Sequence, residues 1–337
     1  MTPSSTSATK VAPAFGIVIA ALGIVYVVWG STYLAIRIVV EQAPPLTSMG
    51  LRYLTAGVVL AAVLSLRGGP RRLRLTGRQA LGTAFLGLML PMLGNGMVSV
   101  GENLGAPSGV TALLIAVTPL MIVVFRVAEG DRPRTATLLG VLLGFAGLAF
   151  LILSGHRGAQ TQGFPLGATL IIVGAATCWG LGSYAQPRLW LPDDVFVTTV
   201  YEMLFGGLIL FSVGQLSGEQ FTAATYGLRT WSALGYLVVF GSVVAFTAYV
   251  WLLANAPISL VATYAYVNPV VAVFLGWLVL SEPVTVPVLV GGGIVVLAVA
   301  IVIRAERPRR TGEVEAADVA VTTGDPVPAL PAADPVS

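Results

Sequence analysis

Apolar residues run along this chain in long blocks, and polar residues are confined to the short breaks between them. The blocks show neither strict alternation nor a single apolar stripe. They are apolar all round, as a helix is when lipid lies on one side and protein on the other. Crossing the ~30 Å hydrocarbon core takes about 20 apolar residues. Ten blocks approach that length, over 14–39, 46–66, 80–100, 106–126, 135–154, 165–187, 195–216, 231–253, 258–280 and 285–304. Only Gly101-Glu102-Asn103-Leu104-Gly105 divides the third from the fourth. The pattern predicts an all-α integral membrane protein with ten transmembrane helices.

Composition agrees: 56% of the 337 residues are hydrophobic and 10% are charged, against about 25% charged in soluble domains. Residues Met1 to Thr9 carry no Lys or Arg, and the following block is long enough to span, so it reads as an uncleaved first helix. From 305 the chain changes in kind. Glu306, Glu313, Glu315, Asp318, Asp325 and Asp334 stand among Pro and Ala with little bulky apolar surface. This predicts a disordered tail over 305–337.

The basic residues orient the bundle. If the tail over 1–13 is cytoplasmic and the spans alternate, the cytoplasmic side receives fourteen of the 18 basic residues. These are Lys10, Arg67, Arg71, Arg72, Arg74, Arg78, Arg126, Arg132, Arg134, Arg188, Arg304, Arg307, Arg309 and Arg310. The exterior receives Arg37, Arg157 and Arg229. The asymmetry predicts a multi-pass protein of the cytoplasmic membrane, both termini inside.

Sparse chemistry narrows the function. Cys178 and His156 are the only residues of their types, so neither an internal disulfide nor a Cys/His zinc cluster is available. Lys10 is the only lysine and stands in the polar leader, which excludes a phosphate-binding Walker loop and a mid-membrane Schiff base. The +3 net charge lies between the apolar blocks and does not mark a nucleic-acid binder. No His-rich or paired-Asp motif falls within the spans, so the chain does not read as an enzyme, and it calls for no metal or cofactor. The partners expected are membrane lipid and a small-molecule substrate.

A shift of 150 residues superposes the landmarks of the two halves. Trp29-Gly30 falls on Trp179-Gly180, Ala106-Pro107 on Ala256-Pro257, and Pro119 on Pro269. Ala112, Val117 and Val123 meet Ala262, Val267 and Val273. This divides the chain into two five-helix repeats, 14–154 and 163–304. Five is odd, so the second repeat enters from the opposite side, giving inverted repeats of the kind that support alternating access.

Trp29-Gly30-Ser31-Thr32-Tyr33-Leu34-Ala35-Ile36-Arg37 resembles the first-helix signature of the drug/metabolite transporter superfamily, in its EamA-like branch. Leu51-Arg52-Tyr53-Leu54-Thr55-Ala56 resembles that family's second-helix motif. Ser281-Glu282-Pro283-Val284-Thr285, followed by Gly291, resembles the loop and helix that close its second repeat. The resemblance covers 14–304. It implies ten helices in two repeats and the transport, by export rather than import, of small polar organic metabolites such as amino acids. A passive channel or facilitator without coupling stays open as the alternative.

Within the spans, paired interruptions point to a binding site. Pro119 and Pro269 are placed mid-helix, where each would leave a carbonyl free, at Ile115 and Ala265. Thr118 and Asn268 stand beside them, and Tyr264 shares the face of Asn268. Trp29 and Tyr33 belong to a helix-one stripe with Tyr26 and Arg37, and Trp179 is the equivalent of Trp29. Asn95, Ser99 and Glu102 form a polar stripe on helix three. The candidate binding residues are therefore Trp29, Tyr33, Asn95, Thr118, Pro119, Trp179, Tyr264, Asn268 and Pro269. Core packing or interfacial anchoring is the competing reading for the aromatics, and kinking for the prolines. Arg52 and Glu202, 150 apart, are the charges placed within spans. They pair with each other, bind substrate groups or snorkel to the interface, and Glu202 is a candidate proton-coupling carboxylate. Trp190 and Trp231 read as membrane-belt residues. Gly140, Gly144, Gly147 and Gly291–293 allow close helix packing, within one protomer or across a homodimer.

Overall fold

The structure, a computed structural model, describes residues 15–155, 165–256, 258–261 and 263–305. Both predicted tails lie outside the described residues, as do Lys10, His156, Arg157, Pro257, Ala262, Arg307, Arg309 and Arg310. Among the described residues every regular element is helical. The helical rods are α1 (Phe15–Val40), α2 (Pro45–Gly68), α3 (Gly77–Asn103), α4 (Ser108–Ala128) and α5 (Thr135–Gly155). They continue with α6 (Leu166–Arg188), α7 (Val195–Leu216), α8 (Leu228–Asn255), α9 (Tyr264–Leu280) and α10 (Val286–Ala305). Eight of these are long and apolar enough to cross a bilayer; the apolar parts of α5 and α9, Thr135–Leu151 and Val267–Leu280, are shorter. Helices suit this setting because lipid offers no partner to a backbone N–H or C=O.

Local chemistry sets the ends. Pro45 opens α2, where a missing N–H costs nothing. Thr76 and Gln79 form a capping box before α3, and Asp194 caps α7 by accepting from Phe196 N at 3.0 Å. Between α3 and α4 the chain reverses within four residues, and Gly105 takes the left-handed φ of 103° that this turn needs.

The bundle has two chemically different ends. At one, Arg72 meets Asp194 at 2.6 Å, Arg188 meets Glu129 at 3.5 Å, and Arg134 donates to the Ala305 carbonyl at 2.8 Å. At the other, Glu219 accepts from Leu46 N and Thr47 N, and Gln42 accepts from Gly227 N and the Thr230 hydroxyl. Glu282 accepts from Ser108 N, Ser108 Oγ and Gly109 N. Polar residues such as Arg52, Glu102, Glu202 and Asn268 face inward, whereas Phe15, Leu66, Leu139, Leu170 and Phe274 are exposed. That distribution is the inverse of a soluble protein and fits a lipid-facing exterior.

Glycines bring two helix pairs close. A Cβ on Gly50 would stand 2.6 Å from the backbone N of Phe211, and one on Gly207 2.7 Å from that of Leu54, so α2 and α7 touch backbone to backbone. Gly140 and Gly147 let α5 meet Val302 and Ile294 of α10, while Gly291 and Gly292 meet Leu151 and Leu113. The predicted glycines, Gly293 apart, thus make room for side chains of neighbouring helices inside one chain.

The interruptions differ from those expected. α4 breaks at Ala116–Val117 and restarts at Thr118, with Pro119 in the first turn. There the proline lacks only a donor that a helix start leaves unused anyway. The Ile115 carbonyl is not left free, because it accepts the Thr118 hydroxyl at 2.7 Å. A short helix, Ile258–Val261, precedes α9, whereas Pro269 keeps its expected place inside its helix. Three π-helical stretches, Val25–Trp29, Leu88–Gly96 and Leu237–Phe246, were not foreseen. The last two sit at nearly the 150-residue offset, in α3 and α8.

Candidate functional site

A small cavity of about 40 Å³ lies inside the bundle. α1 contributes Trp29, Thr32 and Tyr33; α2 contributes Arg52 and Tyr53; and the π-helical parts of α3 and α8 contribute Asn95 and Phe246. Trp179 of α6 and Tyr264 of α9 complete the aromatic wall. The π-helical turns matter because a wider coil shifts the side chains that follow it and loosens the local backbone pattern. Here they present Asn95, the Gly241 carbonyl and Ser242.

Arg52 is 2% exposed. Its Nε donates to Ser242 Oγ at 2.8 Å and its Nη1 to Asn95 Oδ1 at 2.9 Å. The guanidinium carbon lies 4.7 Å from the Tyr53 ring centroid. Arg52 therefore ties α2 to α3 and α8. It does not meet Glu202, contrary to the pairing considered from the sequence. Glu202 is fully buried on α7, and neither carboxylate oxygen has a hydrogen-bond partner among the described residues.

The Trp equivalents do meet. Trp29 and Trp179 pack edge to face at 5.5 Å, and both are 8% exposed. Tyr249 stacks at 4.7 Å from Trp29, Tyr264 at 5.5 Å, and Phe246 at 6.3 Å. Trp29 Nε1 donates to the Gly241 carbonyl at 3.2 Å, while Trp179 Nε1 makes no well-formed hydrogen bond among the described residues. On the far side of this cluster, the Tyr249 hydroxyl meets Ser183 Oγ at 3.0 Å. Ser183, Gln186, Asp193, Thr198 and Val250 line a second, larger space of about 470 Å³ there, at the arginine-rich end. One layer of aromatic rings thus separates two spaces.

Among the sequence candidates, Trp29, Tyr33, Arg52, Asn95, Trp179 and Tyr264 line the inner cavity. Thr118 and Pro119 are buried beside the α4 break and do not. Asn268 is 2% exposed, with neither amide atom bonded among the described residues, and lies off the cavity lining. Pro269 faces an apolar groove with Val270, Phe274 and Trp277, on the other side of α9 from Tyr264. Of the two stripes, Ser99 bonds its own helix at the Gly96 carbonyl, Glu102 is buried with unbonded oxygens, and Arg37 donates to the Glu102 carbonyl. The sequence reading missed Ser242, Phe246 and Tyr249. Pro91 and Gly241, which mark the two π-helical stretches, were the available signal.

Residues 14–153 and 166–304 each match the EamA-like transporter family. The chain belongs to that family. It is 39% identical over 290 residues to the uncharacterized inner membrane transporter YedA of Escherichia coli K12, covering 86% of this chain and 90% of the relative. It is 24% identical over 282 residues to the uncharacterized transporter YvbV of Bacillus subtilis strain 168, covering 83% and 90%. One crystal structure superposes with a TM-score of 0.59 at 20% identity, over 86% of this chain and 98% of that one, a likeness of fold alone. EamA-like family membership and the apolar helices make this a multi-span membrane protein of a transporter family.

Proposed function

We propose that the protein is a secondary transporter of a small polar organic metabolite, an amino acid or a solute of similar size. It works in the cytoplasmic membrane by alternating access between two inverted five-helix repeats, with ten spans, both termini inside and export as the working direction. The observation that carries this reading is the single aromatic layer between the two spaces. Trp29 and Trp179, equivalent at the 150-residue offset, form its centre, where a two-fold axis would bring equivalents together. The corresponding α1 and α6 run in opposite directions between the two ends, as inverted repeats require. A layer of rings at the middle blocks passage until the halves move, which suits a carrier better than an open pore. The family and the inner membrane transporter YedA support the location.

Purified protein in liposomes, offered a metabolite mixture without ATP, should give saturable flux of at least one solute. Trp29→Ala should reduce that flux at least tenfold in protein that still folds and inserts. Flux that rises linearly with concentration, or that survives Trp29→Ala unchanged, would sink the carrier reading.

A further inference from the structure

The charge state of the cavity specifies its cargo more closely. Arg52 is the one charged residue on the cavity wall. It forms no ion pair among the described residues, and its partners are a hydroxyl, an amide oxygen, the Met49 sulfur at 3.7 Å and a ring. A buried cation is ordinarily paired, because leaving water costs several kcal/mol per ion. Carboxylates were available for that role: Glu202 and Glu102 are both fully buried with unbonded oxygens, yet neither reaches Arg52. The fold instead holds the guanidinium by Nε and Nη1, while Nη2, beside Gly241, makes no hydrogen bond among the described residues. A positioned, half-satisfied guanidinium with spare N–H groups is a receptor for a planar anion.

We propose that Arg52 is the anion-binding residue of the cavity and that the cargo is a small organic monocarboxylate with an apolar, ring-stacking body. This rests on the transport reading above. One cation on the wall balances one negative charge, which disfavours phosphate dianions. Opposite it, Trp29, Trp179, Tyr264 and Phe246 offer ring faces and edges, with Tyr33 as a hydroxyl. The space beside Arg52 is about 40 Å³, which takes the carboxylate group, and the body of the solute enters between the rings as they part. Asn95 and Ser242 are positioning residues that act through Arg52.

The test uses full-length protein in detergent and three probes of one shape: phenylacetate, phenylacetamide and phenethylamine. Binding is read from quenching of tryptophan emission. Phenylacetate should bind roughly tenfold to a hundredfold more tightly than the neutral amide, as a charge-assisted pair predicts, and the amine should bind weakest. Arg52→Gln should abolish the preference for the acid, and Arg52→Lys should retain part of it. Equal binding of acid and amide by the native protein overturns the proposal even if no variant folds. So does an acid preference that survives Arg52→Gln, or no binding of phenylacetate. Liposome flux of a neutral solute without acid preference would defeat this inference and leave the carrier reading standing. Arg52-dependent binding without any flux would do the reverse.

Discussion

Glu282 should govern how readily the arginine-poor end opens. Its carboxylate sits between α9 and α10 and accepts from Ser108 N at 2.8 Å, Ser108 Oγ at 2.9 Å and Gly109 N at 3.2 Å. These donors belong to the buried start of α4, which has no side-chain cap of its own, so the carboxylate caps that helix from the other half of the chain. A lost cap costs about 0.5–2 kcal/mol, and a negative charge at a helix start adds roughly 0.3–1 kcal/mol. Glu282 is only partly buried, so solvent screening trims the sum, and Glu282→Ala should cost about 2 kcal/mol. If the contact exists only while this end is closed, that energy shifts the open population by roughly 30-fold. Glu282→Gln keeps the shape and loses the charge, and about 1 kcal/mol corresponds to roughly fivefold. The reporter is Val98→Cys on the cavity wall, in a Cys178→Ser background, labelled by a membrane-impermeant maleimide from the arginine-poor side. Labelling should accelerate in the order native, Gln, Ala, at matched protein levels. Equal rates in all three would refute a closing role for this contact.

Other expectations are simpler. Gly50→Val places a Cβ against the backbone of Phe211, which cannot swing aside, and overpacking of this kind costs about 1–3 kcal/mol or more. Its yield of monodisperse protein should fall well below that of Gly23→Val, where nothing stands within 4 Å; equal yields would contradict the α2–α7 contact. Glu202→Gln is isosteric and breaks no hydrogen bond, so the protein should fold and insert normally. If Glu202 carries the coupling proton, flux should no longer follow an imposed pH gradient, and flux that still follows it removes that role. Reporter fusions at Arg72 and after Arg310 should both face the cytoplasm, and one near Arg157 the exterior. Disagreement between the first two would break the even span count.

The membrane-spanning helices were legible in the amino-acid order, because block length against bilayer thickness is a one-dimensional property. The α3–α4 division fell where Gly105 turns the chain. The offset that matched Trp29 with Trp179 was also legible, since rare residues at one spacing need no structure to be noticed. What the sequence could not supply was adjacency. Equivalence under a repeat does not bring residues together unless they lie near the axis relating the halves. Trp29 and Trp179 meet, while Arg52 and Glu202, at the same spacing, do not. Facing was hidden too. In a membrane helix both the lipid side and the packed side are apolar, so Pro269 carried no mark that it faces outward from the cavity. The partners of Arg52 come from positions 43 and 190 residues away, presented by π-helical turns in two other helices. Hydropathy sets where a chain crosses the bilayer; only the packing of one helix against another decides which polar groups share an interior.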